Sequence, residues 1–158
     1  MQKHDVVIIG GGIIGSAIAY FLKSNLDFKG DVAVIERDTS YGKASTTRSL
    51  GGVRQQFSNH ENIEIGLFGS EFVKNIKEHL AVDGESLDVG WVERGDLFLA
   101  SNEGKKILIK NQSLQKRLGA RIDILSPSDL KIKFPWLNTN GIVISSFGKS
   151  GEGWLDPS

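Results

Sequence analysis

The chain has 158 residues, with 19 basic and 19 acidic side chains, three histidines and no cysteine. A chain of this length can bury a hydrophobic core without disulfides or a structural metal. The absence of cysteine excludes disulfide scaffolds, cysteine-ligated zinc or iron–sulfur sites and a cysteine nucleophile. The balanced charge predicts no nucleic-acid partner and no affinity for an anionic membrane.

The segment from Val6 to Leu22 carries no charge, but it does not have the features of a membrane span or an export signal. Glycines occupy its centre, and no small-residue cleavage site follows it. The first arginine is Arg37, whereas mitochondrial presequences are rich in arginine. We therefore expect a cytoplasmic protein with no signal peptide, no transit peptide and no transmembrane helix.

The first elements predict a βαβ unit. Residues 5–10 and 31–36 are short β-branched runs, typical of parallel strands that are buried on both faces. Between them, residues 13–26 carry small and apolar side chains at helical spacing. Two strands and a helix within about 30 residues predict a right-handed crossover.

The rest of the chain alternates loops, helices and strands. Residues 37–60 predict a long loop with one helical turn, and residues 61–80 an amphipathic helix with Asn59 as its N-cap. Further elements are predicted as strands at 96–100, 122–125 and 141–147, a helix at 103–118 closed by Gly119, and a short helix capped by Ser126 and ended by Pro135. Residues 81–90 could hold a boundary, and residues 148–158 show no pattern.

The glycine motif after the first strand indicates a dinucleotide. Gly10, Gly12 and Gly15 fit Gly-x-Gly-x-x-Gly, in which the glycines allow a tight turn, close approach of a pyrophosphate and close helix packing. Glu36 ends the second strand, where an acid is expected to bind the ribose hydroxyls. Its charge disfavours NADP, so NAD and FAD remain open, and Arg37 could lie against adenine or face water.

The loop at residues 44–57 favours FAD. It combines hydroxyls, two glycines and two arginines well beyond the ribose acid. An NAD domain has no use for such a segment, whereas a flavin ring needs small residues and hydrogen-bond donors beside it. The alternative is a mobile polar loop.

Three segments carry a family resemblance: VVIIGGGIIG at 6–15, VIER at 34–37 and STTRSLGGVRQQF at 45–57. Together they resemble the FAD-dependent amine and amino-acid oxidoreductases, which include D-amino-acid oxidase, glycine oxidase, sarcosine oxidase and dimethylglycine dehydrogenase. GDLFLA at 95–100 and FPWL at 134–137 extend the resemblance over residues 5–158. It is closest to the branch of sarcosine oxidase β subunits and of a mitochondrial FAD-dependent oxidoreductase domain-containing protein linked to complex I assembly.

This resemblance implies noncovalent FAD and an amine or amino-acid substrate that passes a hydride to flavin N5. Oxygen or another carrier would take the electrons. It implies FAD contacts in three groups: Gly10, Gly12, Ile13, Ile14 and Gly15 at the pyrophosphate; Glu36 and Arg37 at the adenosine; Ser45, Thr46, Arg48, Ser49, Gly51 and Gly52 along the path to the flavin ring. The resemblance identifies no general base.

We expect an α/β fold, with a Rossmann-like FAD-binding βαβ unit followed by the start of an α+β substrate domain. Residues 1–80 would form the FAD-binding part and residues 85–158 the beginning of the substrate domain. Members of the family are more than twice this long, so the chain looks truncated. The alternatives are an NAD-dependent dehydrogenase and a non-catalytic remnant or assembly factor related to complex I assembly. Arg54 could bind a substrate carboxylate or be an unpaired surface arginine.

Overall fold

A computed structural model describes residues 3–157 of the chain. The described residues form two compact units, one of residues 3–49 with Pro157 and the other of residues 50–156. The assignment of residues 1–80 to cofactor binding and 85–158 to substrate binding stays a prediction.

The first unit contains the predicted βαβ arrangement. Its elements are β1 (Val6–Ile9), α1 (Ile13–Ser24) and β2 (Val32–Ile35). The two strands are parallel, with Val6 opposite Val32 and Ile9 opposite Ile35. After β2, the chain runs through a loop that contains a 3-10 turn at Thr46–Arg48, which matches the predicted helical turn.

The expected burial of both strand faces is wrong for the described residues. Ile8 is buried, but Ile9 is 88% exposed and Val7 is half-exposed. A sheet of two strands has two free edges, and α1 packs against it as a single helix. The apolar run therefore predicted the strand correctly but not its surroundings.

The second unit contains two antiparallel sheets and four helices among its described residues. The elements, in chain order, are β3 (Gly52–Val53), α2 (His60–Lys74), α3 (Ile76–His79), β4 (Val92–Glu93), β5 (Leu97–Ala100), α4 (Lys105–Arg117), β6 (Ile122–Leu125), α5 (Pro127–Lys133), β7 (Ile144–Gly148) and β8 (Gly153–Trp154). The sheets have the strand orders β3-β8-β4 and β5-β7-β6. Ile63 of α2, Ile122 of β6 and Leu130 of α5 are among the buried core side chains.

Most predicted elements of this unit are present with slightly different bounds. The predicted helix at 61–80 is divided at Asn75, which ends α2 and precedes α3. Asn59 is the N-cap of α2, but its side chain makes no cap bond and donates instead to Glu61. The sequence pattern did not predict β3, β4 and β8, each of which has two residues.

None of the helices in the described part of the chain is long and apolar enough to cross a membrane.

Candidate cofactor site

The turn from β1 into α1 presents an uncapped helix N-terminus. Gly10 has a φ of +100°, a conformation that favours glycine, and its amide donates to the Ile35 carbonyl at 2.8 Å. Gly12 is the N-cap of α1, and the first turn contains no acidic residue. The first amides of a helix have no acceptor within the helix, so this end of α1 favours an anion.

Two glycines of the motif have different surroundings. A Cβ placed on Gly15 would overlap the Gly10 carbonyl, so the close packing of α1 on the turn requires glycine there. A Cβ placed on Gly12 would meet no atom within 4 Å. The space in front of Gly12 is therefore open, as close approach of a pyrophosphate requires. Ile13 and Ile14, at the start of α1, are exposed at the same place.

Glu36 lies beside this turn and is held by backbone amides. Its Oε2 accepts a hydrogen bond from the Gly11 amide at 2.7 Å, and its Oε1 accepts one from the Asp38 amide at 2.8 Å. The N–H groups of Asp38 and Gly11 lower the pKa of Glu36 below its ordinary value. An ionised carboxylate has further acceptor capacity on each oxygen, so Glu36 can still accept ribose hydroxyls.

A cleft of 510 Å³ lies beside Glu36 within the first unit. It is lined by the predicted site residues Glu36, Arg37 and Ser45 and by four others: Asp38, Tyr41, Lys43 and Ala44. Its volume lies within the range of about 300–1,000 Å³ that is usual for ligand pockets. Asp38 and Tyr41 were not predicted as site residues. An acid two residues after Glu36 was the available signal for Asp38.

The loop that ends the first unit contains several internal hydrogen bonds. The Thr47 hydroxyl donates to the Tyr41 carbonyl at 2.9 Å and is within 3.0 Å of the Ala44 carbonyl. The Arg48 Nε donates to the Gly42 carbonyl at 3.3 Å. These bonds hold the 3-10 turn, of which Thr46 and Arg48 are part. Ser45 and Ser49 flank the turn and are exposed.

Gly51 and Gly52 lie near the start of the second unit. A side chain would clash with the backbone at Gly51, as at Gly15, whereas Gly52 faces open space, as Gly12 does. Gly51 has a φ of +63°, and a Cβ there would overlap the Leu155 carbonyl. Gly52 pairs with Trp154 in the sheet, and a Cβ on it would meet nothing within 4 Å. Gly51 is thus required by the backbone, whereas Gly52 leaves open space.

Arg54 follows this pair of glycines. Its Nε lies 3.9 Å from Asp96 Oδ2, and both side chains are partly exposed. It also lines a second cleft of 510 Å³, together with residues of the 52–57 segment and of α2: Gly52, Val53, Phe57, Asn62, Ile65, Gly66 and Gly69. Arg54 is therefore weakly paired rather than an unpaired surface arginine.

The predicted cofactor residues divide between the two units. The first unit holds eleven of them, and it gathers the adenosine pair Glu36 and Arg37 with Ser45 around one cleft. Gly51 and Gly52 belong to the second unit. The roles of all thirteen residues at a cofactor stay predictions.

The fold and the glycine turn are those of a dinucleotide-binding α/β protein. The family model described as FAD dependent oxidoreductase matches residues 5–158. The chain therefore belongs to this family, and FAD is the family's cofactor. This finding decides between the two dinucleotides that Glu36 left open.

Similar proteins and solved structures support this family assignment. The chain is 48% identical, over 99% of its length, to FAD-dependent oxidoreductase domain-containing protein 1 of Xenopus laevis, of which it covers 32%. It is 28% identical over 98% of its length to human mitochondrial sarcosine dehydrogenase, of which it covers 16%. The structure of L-proline dehydrogenase from P. horikoshii matches with a TM-score of 0.76 and 29% identity, over 99% of this chain and 39% of that one. The chain thus spans at most about a third of the length of these curated relatives.

Proposed function

We propose that the chain supplies the adenosine and pyrophosphate site, and the start of the substrate domain, of an FAD-dependent oxidoreductase that oxidises an amine or amino acid. When bound, FAD would take a hydride from the substrate carbon at N5 and pass the electrons to oxygen or another carrier. The proposal keeps residues 1–80 for the cofactor and 85–158 for the start of the substrate domain. Sarcosine, glycine and D-amino acids are the first substrates to test.

The observation that carries the proposal is the open, uncapped start of α1 beside Glu36. The open space in front of Gly12 and the free helix amides fit a pyrophosphate, which is anionic and must approach the backbone closely. The Glu36 carboxylate beside the same turn fits the ribose hydroxyls of the adenosine. The residues present therefore fit FAD.

Each group of residues would have a separate task. Residues 10–15 would hold the pyrophosphate, Glu36 and Arg37 the adenosine, and Ser45, Thr46, Arg48, Ser49, Gly51 and Gly52 the part of FAD that leads to the flavin ring. The cation of Arg54 would suit the carboxylate of an amino acid, since arginine binds carboxylates with two parallel hydrogen bonds. The hydroxyls and amides of this chain would orient FAD and the substrate toward each other.

The test is a titration of the purified chain with FAD, with quenching of flavin fluorescence as the readout. We expect saturable quenching that NAD in excess does not reverse, and weaker quenching for Glu36→Gln. Glu103→Gln is the matched control, because Glu103 is exposed and lies far from residues 10–52 in sequence. Binding of NAD with no binding of FAD would contradict the proposal.

A non-catalytic binding role is the second candidate, and the exposed apolar residues of the βαβ unit favour it. Ile9 and Ile14 are 88% and 72% exposed, and such surface is typical of a site that another polypeptide covers. Turnover distinguishes the two candidates. A whole protein that binds FAD but oxidises neither sarcosine, glycine nor D-amino acids, with oxygen or a dye as acceptor, would favour the assembly role.

The compartment also stays a prediction. The sequence favours the cytoplasm, whereas the human sarcosine dehydrogenase is mitochondrial by its name. Fractionation of cells that express the whole protein decides between the two.

A further inference from the structure

Glu152 is a fully buried acid in the second unit. Its Oε1 accepts hydrogen bonds from the amides of Gln55 at 2.7 Å and Gln56 at 3.0 Å. Its Oε2 accepts from the Gln56 side chain at 2.9 Å and from the Asp96 amide at 3.3 Å. One carboxylate therefore joins two segments that lie far apart in sequence.

Gly148 leaves the space that this carboxylate occupies, and Gly151 and Gly153 flank Glu152 in sequence. A Cβ on Gly148, at the end of β7, would occupy the position of Glu152 Oε2. A Cβ on Gly151 would overlap the Gln55 side chain, and one on Gly153 would overlap the Val92 carbonyl. Of these three glycines, Gly148 is the one whose Cβ would meet Glu152 itself, so a side chain there would displace the carboxylate.

The geometry is that of an ionised group. All four donors are N–H groups, so a proton on either oxygen would point at another donor. Burial raises the pKa of Glu152, and the bonds from Gln55 and Gln56 oppose that effect. Within residues 3–157, no basic side chain forms an ion pair with Glu152. A buried charge balanced only by amides is costly, so its presence calls for a specific role.

The amides that Glu152 binds lie on both sides of one ion pair. Gln55 follows Arg54 directly, and Asp96 is the partner of Arg54. The Gln56 side chain strengthens the link, because its Nε2 also donates to the Asp96 carbonyl at 2.9 Å and its Oε1 accepts from the Ser146 hydroxyl at 2.6 Å. Glu152 thereby fixes the backbone at Arg54 and at Asp96 together.

We propose that Glu152 is a positioning residue that holds Arg54 at the rim of the cleft between residues 52–57 and α2, where Arg54 binds the carboxylate of a small ligand. The cleft suits such a ligand, since Val53, Phe57 and Ile65 give it apolar walls and Arg54 supplies a cation. The inference rests on the proposed function for the identity of the ligand, an amino acid. The positioning itself does not depend on FAD.

The first test uses the wild-type chain and hydrogen exchange followed by NMR. The amides of Gln55, Gln56 and Asp96 donate to a buried carboxylate, so we expect each to exchange at least about a hundredfold more slowly than the exposed Ser58 amide. Exchange of these three amides at the rate of Ser58 would overturn the proposal, whatever the variants do.

The second test is a double-mutant cycle on the binding of sodium propionate, a carboxylate with a short apolar tail. The amide shifts of Gly66 and Gly69, which line the cleft, report binding in every variant. We expect Glu152→Gln to raise the Kd for propionate about tenfold, a coupling usual within one hydrogen-bond network. In a chain that already carries Arg54→Gln, the same change should have no further effect.

Glu103→Gln is the matched control and should bind propionate like the wild type. An equal effect of Glu152→Gln with and without Arg54, or no effect at all, would overturn the positioning role. So would a wild-type chain that binds no propionate. Where Glu152→Gln does not fold, Glu152→Asp keeps the charge on a shorter side chain, and it should weaken propionate binding only while Arg54 is present. A chain that shows this coupling but binds no FAD would overturn the proposed function and support the positioning role.

Discussion

Gly12 and Gly15 lie three residues apart, and glycine serves a different purpose at each. At Gly15 the neighbouring carbonyl of Gly10 excludes any side chain, so the requirement is internal to the fold. At Gly12 nothing in the chain excludes a side chain, so a requirement for glycine there would come from a ligand. Comparing alanine at these two positions separates folding from cofactor binding.

We predict that Gly12→Ala folds normally and loses cofactor, while Gly15→Ala loses stability. Gly12→Ala should change the free energy of unfolding by less than about 1 kcal/mol, since alanine is only a poorer N-cap than glycine. It should raise the Kd for FAD at least about tenfold. Gly15→Ala should lower the free energy of unfolding by about 1–3 kcal/mol through overpacking. Urea denaturation and flavin fluorescence measure the two quantities, and a Gly12→Ala chain with wild-type FAD affinity would contradict the assignment.

At the scale of the element, capping residues in the sequence predicted where α2 and α5 begin, but only one of the two expected cap hydrogen bonds is present. Ser126 caps α5 as expected: its hydroxyl accepts from the Asp129 amide at 3.2 Å, and Asp129 accepts from the Ser126 amide at 3.1 Å. The Ser126 hydroxyl is also the main cause of the lowered pKa of Asp129. Asn59 is also a residue type that favours the N-cap position, but its side chain donates to Glu61 instead of accepting from a helix amide. A capping residue thus marks where a helix begins, and the neighbouring side chains decide which bond it makes.

We predict that Ser126→Ala lowers the free energy of unfolding by about 1 kcal/mol, the usual cost of losing an N-cap. The capping hydroxyl is lost, and the Asp129 amide then has only water as a partner. Urea denaturation followed by far-UV circular dichroism measures the change. Ser128→Ala, two residues later, is the control: the Ser128 hydroxyl lies 2.7 Å from the Ser126 hydroxyl, and among the described residues no amide donates to it. Equal stability of the Ser126→Ala and Ser128→Ala chains would contradict the assigned cap.

At the scale of the whole molecule, the βαβ unit exposes several large apolar side chains. Ile9 is 88% exposed and its strand partner Ile35 is 56% exposed. Two strands and one helix do not cover both faces of a sheet. The chain spans about a third of the Xenopus relative, so the longer relatives have further residues that could cover this surface.

We predict that the 158-residue chain associates with itself as its concentration rises, through Ile9 and Ile35. Replacing both with lysine should reduce association, because charged side chains oppose the pairing of exposed strands. Sedimentation velocity over a range of concentrations measures the effect. Asn102→Lys is a control for added charge at an exposed residue outside the sheets. Association that is unchanged by the two lysines would place the contact elsewhere.

The sequence by itself determined the βαβ unit, the glycine turn and the place of Glu36, because each depends on residues close together in the chain. Strand and helix periods and the glycine spacing are local signals, and the crossover rule orders them in space. The tertiary structure alone decided the surroundings of those elements and the network of Glu152. Gln55 and Glu152 are 97 residues apart, and β3, β4 and β8 are too short to leave a pattern. Contacts of this kind depend on how distant segments pack, so no single stretch of sequence records them.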